Sequence, residues 1–254
     1  MIENRTKRTL ADGAPVMAMT LNFPHAGLAE YVGALGFDCI AVDGEHGAVS
    51  ESELENITRA CECSGATLLV RLPVNDALMQ RYLGMGVAAF HVPQIRSAAQ
   101  AQAAIDAIKF PPLGRRGLGT FRANHYGLSL GSWPAFMQRA NDETLIVIAI
   151  EDREGLAALP QLVALPAIDV ILIGTSDLSA DLGVPGQTKH PEVQAAVTRA
   201  IATIREGGKV AGLPAGTTAE VDAVYAQGAR FILTSVARTL ASSARELLGA
   251  VRAL

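Results

Sequence analysis

Residues 145–177 read LIVIAIEDREGLAALPQLVALPAIDVILIGTSD, and this stretch decides the fold. Its two aliphatic runs, LIVIAIE and DVILIGTSD, flank a segment of helical period near 154–164. Runs that are apolar on both faces suit parallel strands covered by helices, so the stretch reads as one strand–helix–strand unit. Each run delivers a carboxylate to its C-terminal end: Glu151 directly, and Asp177 after the small-residue turn Gly174-Thr175-Ser176. An acid there can simply cap the next helix. Two acids at equivalent ends also suit a divalent cation held by anionic oxygens at the rim of a barrel.

Working outward, short aliphatic runs of the same kind recur as PVMAMT, FDCIAVD, ATLLVR, AAFHVP, GKVAGL and ARFILT, giving eight with the first two. The spacing predicts helices near 26–35, 51–63, 76–84, 97–108, 154–164, 190–206, 217–227 and 236–252. Ser50 before Glu53 and Pro191 mark helix starts, and Gly36, Gly65, Gly86, Gly207 and Gly228 precede the next strand. Eight alternating units predict a (β/α)8 barrel. The competing doubly wound sheet lacks its glycine fingerprint after the first strand.

A chain of 254 residues, half hydrophobic, is expected to form one domain over 1–254. Its net charge of −4 gives no footprint for nucleic acid or an acidic membrane surface. The start, MIENRTKRTLADG, lacks an apolar leader, and no apolar run is long enough to span a bilayer, so a cytoplasmic location is expected. Cys39, Cys61 and Cys63 read as reduced packing residues. Residues 110–144 break the rhythm as a long connection carrying Arg115, Arg116 and Arg122. That cluster suits an anionic substrate tail, or equally a solvated or subunit-facing surface.

In a barrel the C-terminal ends of all strands share one rim. Collected there are Asp43-Gly44-Glu45-His46, Arg71, Glu151 and Gly174-Thr175-Ser176-Asp177. They offer two metal ligands, a proton-transfer histidine, a guanidinium for an oxyanion and free amides for a carboxylate. Arg71 follows a buried run and needs an anionic partner, which could be substrate, Asp43 or Glu45. His91 alternates with Phe90 as an ordinary wall position would. None of the four lysines, Lys7, Lys109, Lys189 and Lys209, ends a predicted strand, so imine chemistry is not expected. A carbonyl substrate would then need a Lewis acid; Mg2+, Mn2+ or Co2+ suits such oxygen donors.

These residues carry a resemblance. VDGEHG at 42–47, VRLPVND at 70–76, KFPPLGRRGLG at 109–119, QRANDE at 138–143, IEDREGL at 150–156 and IGTSDLSADLGVPGQTKHPEV at 173–193 make the chain resemble the HpcH/HpaI aldolases, metal-dependent pyruvate aldolases. The resemblance implies reversible cleavage of a 4-hydroxy-2-oxo acid to pyruvate and an aldehyde through a metal-stabilised enolate. It implies Glu151 and Asp177 as metal ligands, His46 with Asp43 in proton transfer, Arg71 on the keto oxygen, and the amides of Gly174, Thr175, Ser176 and Asp177 on the carboxylate. It also implies a homo-oligomer, usually a hexamer built as a trimer of dimers, with the last helix exchanged between subunits. Three positions depart from the family pattern. Ala149 stands where glutamine is common, Gly84 where an aspartate usually reaches a neighbouring subunit's histidine, and GTSD where GPAD or GPSD is commoner. Oxaloacetate decarboxylation on the same site, or a non-catalytic oxo-acid-binding barrel, are the alternative readings.

Overall fold

The computed structural model describes residues 3–128 and 130–252. Eight parallel strands close into a barrel in sequence order, with β1 pairing both β2 and β8. They are β1 (Val16–Leu21), β2 (Cys39–Asp43), β3 (Thr67–Arg71), β4 (Ala89–Val92), β5 (Leu145–Ile150), β6 (Val170–Ile173), β7 (Val210–Pro214) and β8 (Phe231–Ser235). Each coincides with one of the eight predicted runs.

Period-two alternation divides every strand between two cores. Ala18, Ala41, Leu69, Ala89, Val147, Leu172 and Phe231 fill the barrel interior. Leu21, Ile40, Val70, Phe90, Ile148 and Ile171 face outward into the layer shared with the helices. That double burial is why the strands read as continuous apolar runs rather than alternating ones.

The helices are α1 (Arg5–Ala11), α2 (Ala26–Ala34), α3 (Glu51–Ser64), α4 (Asp76–Met85), α5 (Ala98–Ile108), α6 (Trp133–Glu143), α7 (Arg153–Leu162), α8 (Thr175–Asp181), α9 (Pro191–Glu206), α10 (Thr218–Gln227) and α11 (Val236–Arg252). Polar caps start the helices that leave the C-terminal rim: Ser50 accepts from the Glu53 amide (3.1 Å), Asn75 from Leu78 (3.1 Å) and Asp152 from Gly155 (2.8 Å). Helix α1 seals the other end of the barrel. Leu10 joins the interior core, and Asn4 bonds the Ala88 and Glu143 carbonyls (3.1 and 2.8 Å).

Two expectations need correction. Part of the connection 110–144 is helical: a 3-10 turn spans Arg122–Gly127 and α6 spans Trp133–Glu143. Cys63 is exposed, so only Cys39 and Cys61 are packing residues; all three are free thiols. Among the described residues no helix is long and apolar enough to cross a membrane.

Helix α11 has the strongest segregation of apolar and polar faces, yet none of its side chains is buried, and Leu240, Leu247, Leu248 and Val251 are all exposed.

Candidate active site

The turn after β2 is built tightly. The Asp43 carboxylate accepts the amides of Glu45 (3.0 Å) and His46 (3.1 Å), folding DGEHG back on itself. A Cβ on Gly47 would lie 2.3 Å from the Asp43 carbonyl oxygen, so only glycine fits. The same carboxylate receives Arg71 in a two-pronged pair, through Nε at 2.9 Å and through Nη2. Glu45 approaches the guanidinium at 3.4 Å. Nη1 is the guanidinium nitrogen left without a protein partner among the described residues.

Burial works against both ions of this pair. Hydrogen bonds from Arg71, His46 and Glu45 outweigh it and hold the Asp43 carboxyl below its usual range, while Asp43, Glu45 and Glu151 hold Arg71 above its own. A depressed native carboxyl stabilises the fold above the ordinary aspartate range near pH 4, and that contribution is lost as pH falls through the native value. Urea unfolding from pH 3 to 6 should therefore show wild type losing stability toward acid faster than Asp43→Asn, with identical slopes contradicting the pairing.

Glu151 leaves β5 and meets the start of α8. It does not cap α7, since the neighbouring Asp152 does so. The main-chain N–H of Gln94 donates to Glu151 Oε1 (2.8 Å), and the Gln94 side chain donates to Glu45 (3.2 Å). Gln94 reaches this position through a left-handed backbone (φ 55°), uncommon for a residue other than glycine. Burial raises the Glu151 carboxyl, and the Asp177 and Glu45 carboxylates add to the rise against the Gln94 N–H. Glu45, Glu151 and Asp177 thus form an acidic cluster facing Arg71.

A divalent cation fits this donor set: two hard carboxylates lie side by side, and their mutual repulsion is what a cation would relieve. Among the described residues no group of three or more His, Cys, Asp or Glu side chains has metal-holding geometry. Small-residue geometry keeps the site open: a Cβ on Gly174 would lie 2.6 Å from Glu151 Oε2.

The expected site residues thus share one rim, with differences in detail. His46 is well exposed, and its imidazole Nε2 lies 3.7 Å from Glu45; Asp43 meets His46 through the main chain. Ala149 is buried on the inner face of β5, and Gln94 supplies a carboxamide beside the carboxylates from the β4 side. Gly84 lies against Phe121, whose Cβ and ring would be 3.6 Å from an added Cβ. The arginines of 110–144 lie at the opposite end of the barrel. Arg115 pairs with Asp106 and Arg122 with Glu62, while Arg116 is buried over the Phe110 ring (4.4 Å). Lys109 is buried at that end too, on the Asn141 and Thr144 carbonyls (2.5 and 2.6 Å). Sequence reasoning missed Gln94 and passed over His91, which lines a cavity of about 270 Å3 with Asp43 and Arg71. A larger hollow of about 430 Å3, walled by Thr58, Glu62 and Arg122, lies away from the rim.

A closed parallel barrel with acids and a guanidinium gathered at its C-terminal rim is the arrangement of a (β/α)8-barrel enzyme. The sequence profile of the HpcH/HpaI aldolase/citrate lyase family matches residues 18–244, and the chain belongs to that family. It is 36% identical over 229 residues to the 2-dehydro-3,6-dideoxy-6-sulfogluconate aldolase of Pseudomonas putida, covering 89% of each chain. It is 33% identical over 253 residues to the 4-hydroxy-2-oxo-heptane-1,7-dioate aldolase of Escherichia coli, covering 98% of this chain and 95% of the relative. An HpcH/HpaI aldolase crystal structure from Desulfitobacterium hafniense superposes with a TM-score of 0.90 at 26% identity, covering 98% and 96% of the two chains. The protein is a carbon–carbon lyase of the aldolase type.

Proposed function

We propose that the protein cleaves a 4-hydroxy-2-oxo acid reversibly to pyruvate and an aldehyde, with a divalent cation such as Mg2+, Mn2+ or Co2+ held by Glu151 and Asp177. The observation that carries this reading is Arg71: pinned by Asp43 on two nitrogens, it keeps Nη1 free beside the acidic cluster. Both relatives are named for 2-oxo (2-dehydro) acids, which supports the substrate class.

When bound, the cation supplies Lewis-acid polarisation of the 2-oxo group. Arg71 Nη1 donates to the oxygen that gains negative charge as the C3–C4 bond breaks. The amides of Gly174, Thr175, Ser176 and Asp177 hold the carboxylate. His46, exposed at the rim and next to Glu45, accepts the C4 hydroxyl proton as the aldehyde leaves and returns a proton to C3 of the enolate, giving pyruvate. Incubating pyruvate and a panel of aldehydes with the enzyme, and analysing products, tests this. Aldol adducts are expected, whereas carbon dioxide from oxaloacetate with no adduct from any aldehyde points to a decarboxylase instead.

The reading extends to assembly. An amphipathic 17-residue α11 with no buried side chain suits exchange with a neighbouring subunit in a hexamer built as a trimer of dimers. Replacing both Leu247 and Leu248 with glutamate should shift the light-scattering mass to a smaller species with the circular dichroism of the barrel kept. An unchanged mass would count against exchange. Three free cysteines suit a cytoplasmic, reducing location.

A further inference from the structure

His91 is 6% exposed on the inner face of β4, and its Nε2 has no hydrogen-bond partner. An unpaired buried polar atom is costly, and an aliphatic side chain would fill a purely packing position at less cost. The His91 side chain lines the 270 Å3 barrel-mouth cavity, whose other polar walls include Thr20, Asn22, Arg71, Thr234, Ser235 and Arg238. Asp43 and Arg71 belong both to this cavity and to the catalytic cluster, so it opens directly onto the reacting groups.

The charges on the walls are already matched. Arg71 is paired with Asp43 and Glu45, and Arg238 with Glu220. Beside the Arg71 Nη1 that serves the reacting oxygen, what remains is neutral and polar: three hydroxyls, a carboxamide and an imidazole. Burial and the nearby Arg71 push His91 down to about 3, so it stays neutral, with one nitrogen to donate and one to accept.

We infer that His91 is a specificity-determining residue whose imidazole hydrogen-bonds a hydroxyl on the aldehyde-derived part of the substrate, so that the cavity selects hydroxylated, uncharged aldehydes over their deoxy counterparts. The inference rests on the aldolase reading for the identity of the second reactant. Buried polar groups discriminate strongly in this way because the analogue lacking the hydroxyl leaves them unpaired.

The test compares glyceraldehyde with propanal as acceptors for pyruvate, using metal-supplemented wild type, His91→Leu and His91→Asn. For His91→Leu, kcat/KM with glyceraldehyde should fall about ten-fold while that with propanal stays within two-fold. His91→Asn, which keeps a hydrogen-bonding group, should recover part of the loss and serves if the leucine variant does not fold. The KM for pyruvate should be unchanged in both. Calorimetric binding of glyceraldehyde in the presence of pyruvate gives a second readout, expected to weaken about ten-fold in His91→Leu. Equal losses for both aldehydes, or no loss for either, overturn the inference. If wild type forms no aldol product yet glyceraldehyde binding still depends on His91, the aldolase reading fails and the hydroxyl-binding role stands.

Discussion

Arg71→Lys is expected to lower kcat for aldol cleavage about 10³-fold with little change in overall stability. A lysine ammonium could keep one contact to Asp43. It has no planar fork to hold two bonds to that carboxylate while aiming a third donor at the substrate oxygen. The wild-type guanidinium does both, because Asp43 takes Nε and Nη2 and leaves Nη1. The interaction is needed most as charge develops, so kcat should fall more than KM rises. Steady-state kinetics separate the two. A variant that lost only pyruvate affinity would assign Arg71 to ground-state binding.

Gly174→Ala should be nearly as damaging although it removes no functional group. The new Cβ would lie 2.6 Å from Glu151 Oε2 and 2.7 Å from Glu151 Cβ, and neither contact can persist. Glu151 is also tied on its other side by the Gln94 N–H. The carboxylate must swing away from Asp177, and the expected cost is about 100-fold in metal affinity and activity. Crowding should also destabilise the fold by about 1–3 kcal/mol. Calorimetric titration with Mn2+ and a thermal melt would measure both. Activity within three-fold of wild type would mean that Glu151 does not need its present position.

The barrel was legible because its strands are buried on both faces, which made each of them a compact aliphatic run. Helix α6 was not recognised because WPAFMQRANDE buries only Phe136, Ala140 and Asn141, too narrow a stripe to stand out, although Ser132 caps its start. Helix α8 has only seven residues, short for a periodic signal. At the site, acids and arginine at strand ends were readable because topology alone places strand ends on one rim. Gln94 was not, since its place beside Glu151 depends on a left-handed turn that nothing in VPQIR announces. For His91 the alternation with Phe90 suggested only an ordinary wall position; in the structure Phe90 faces the helices and His91 the interior. Missing was the knowledge that the barrel interior is hollow at that height. The arginines of 110–144 were ambiguous because a charge run has no direction in sequence. They follow a helix and precede a strand, which puts them at the end of the barrel opposite this chain's rim.

The central claim is that Glu151 and Asp177 hold a divalent cation needed for carbon–carbon bond chemistry at Arg71. The most direct measurement is aldol cleavage and synthesis by wild type and Glu151→Ala after exhaustive chelation, followed by titration with Mg2+, Mn2+ or Co2+. Wild-type activity should vanish on chelation and return saturably with added metal, while Glu151→Ala should stay inactive. Turnover that survives chelation, or that persists in Glu151→Ala, would contradict the account.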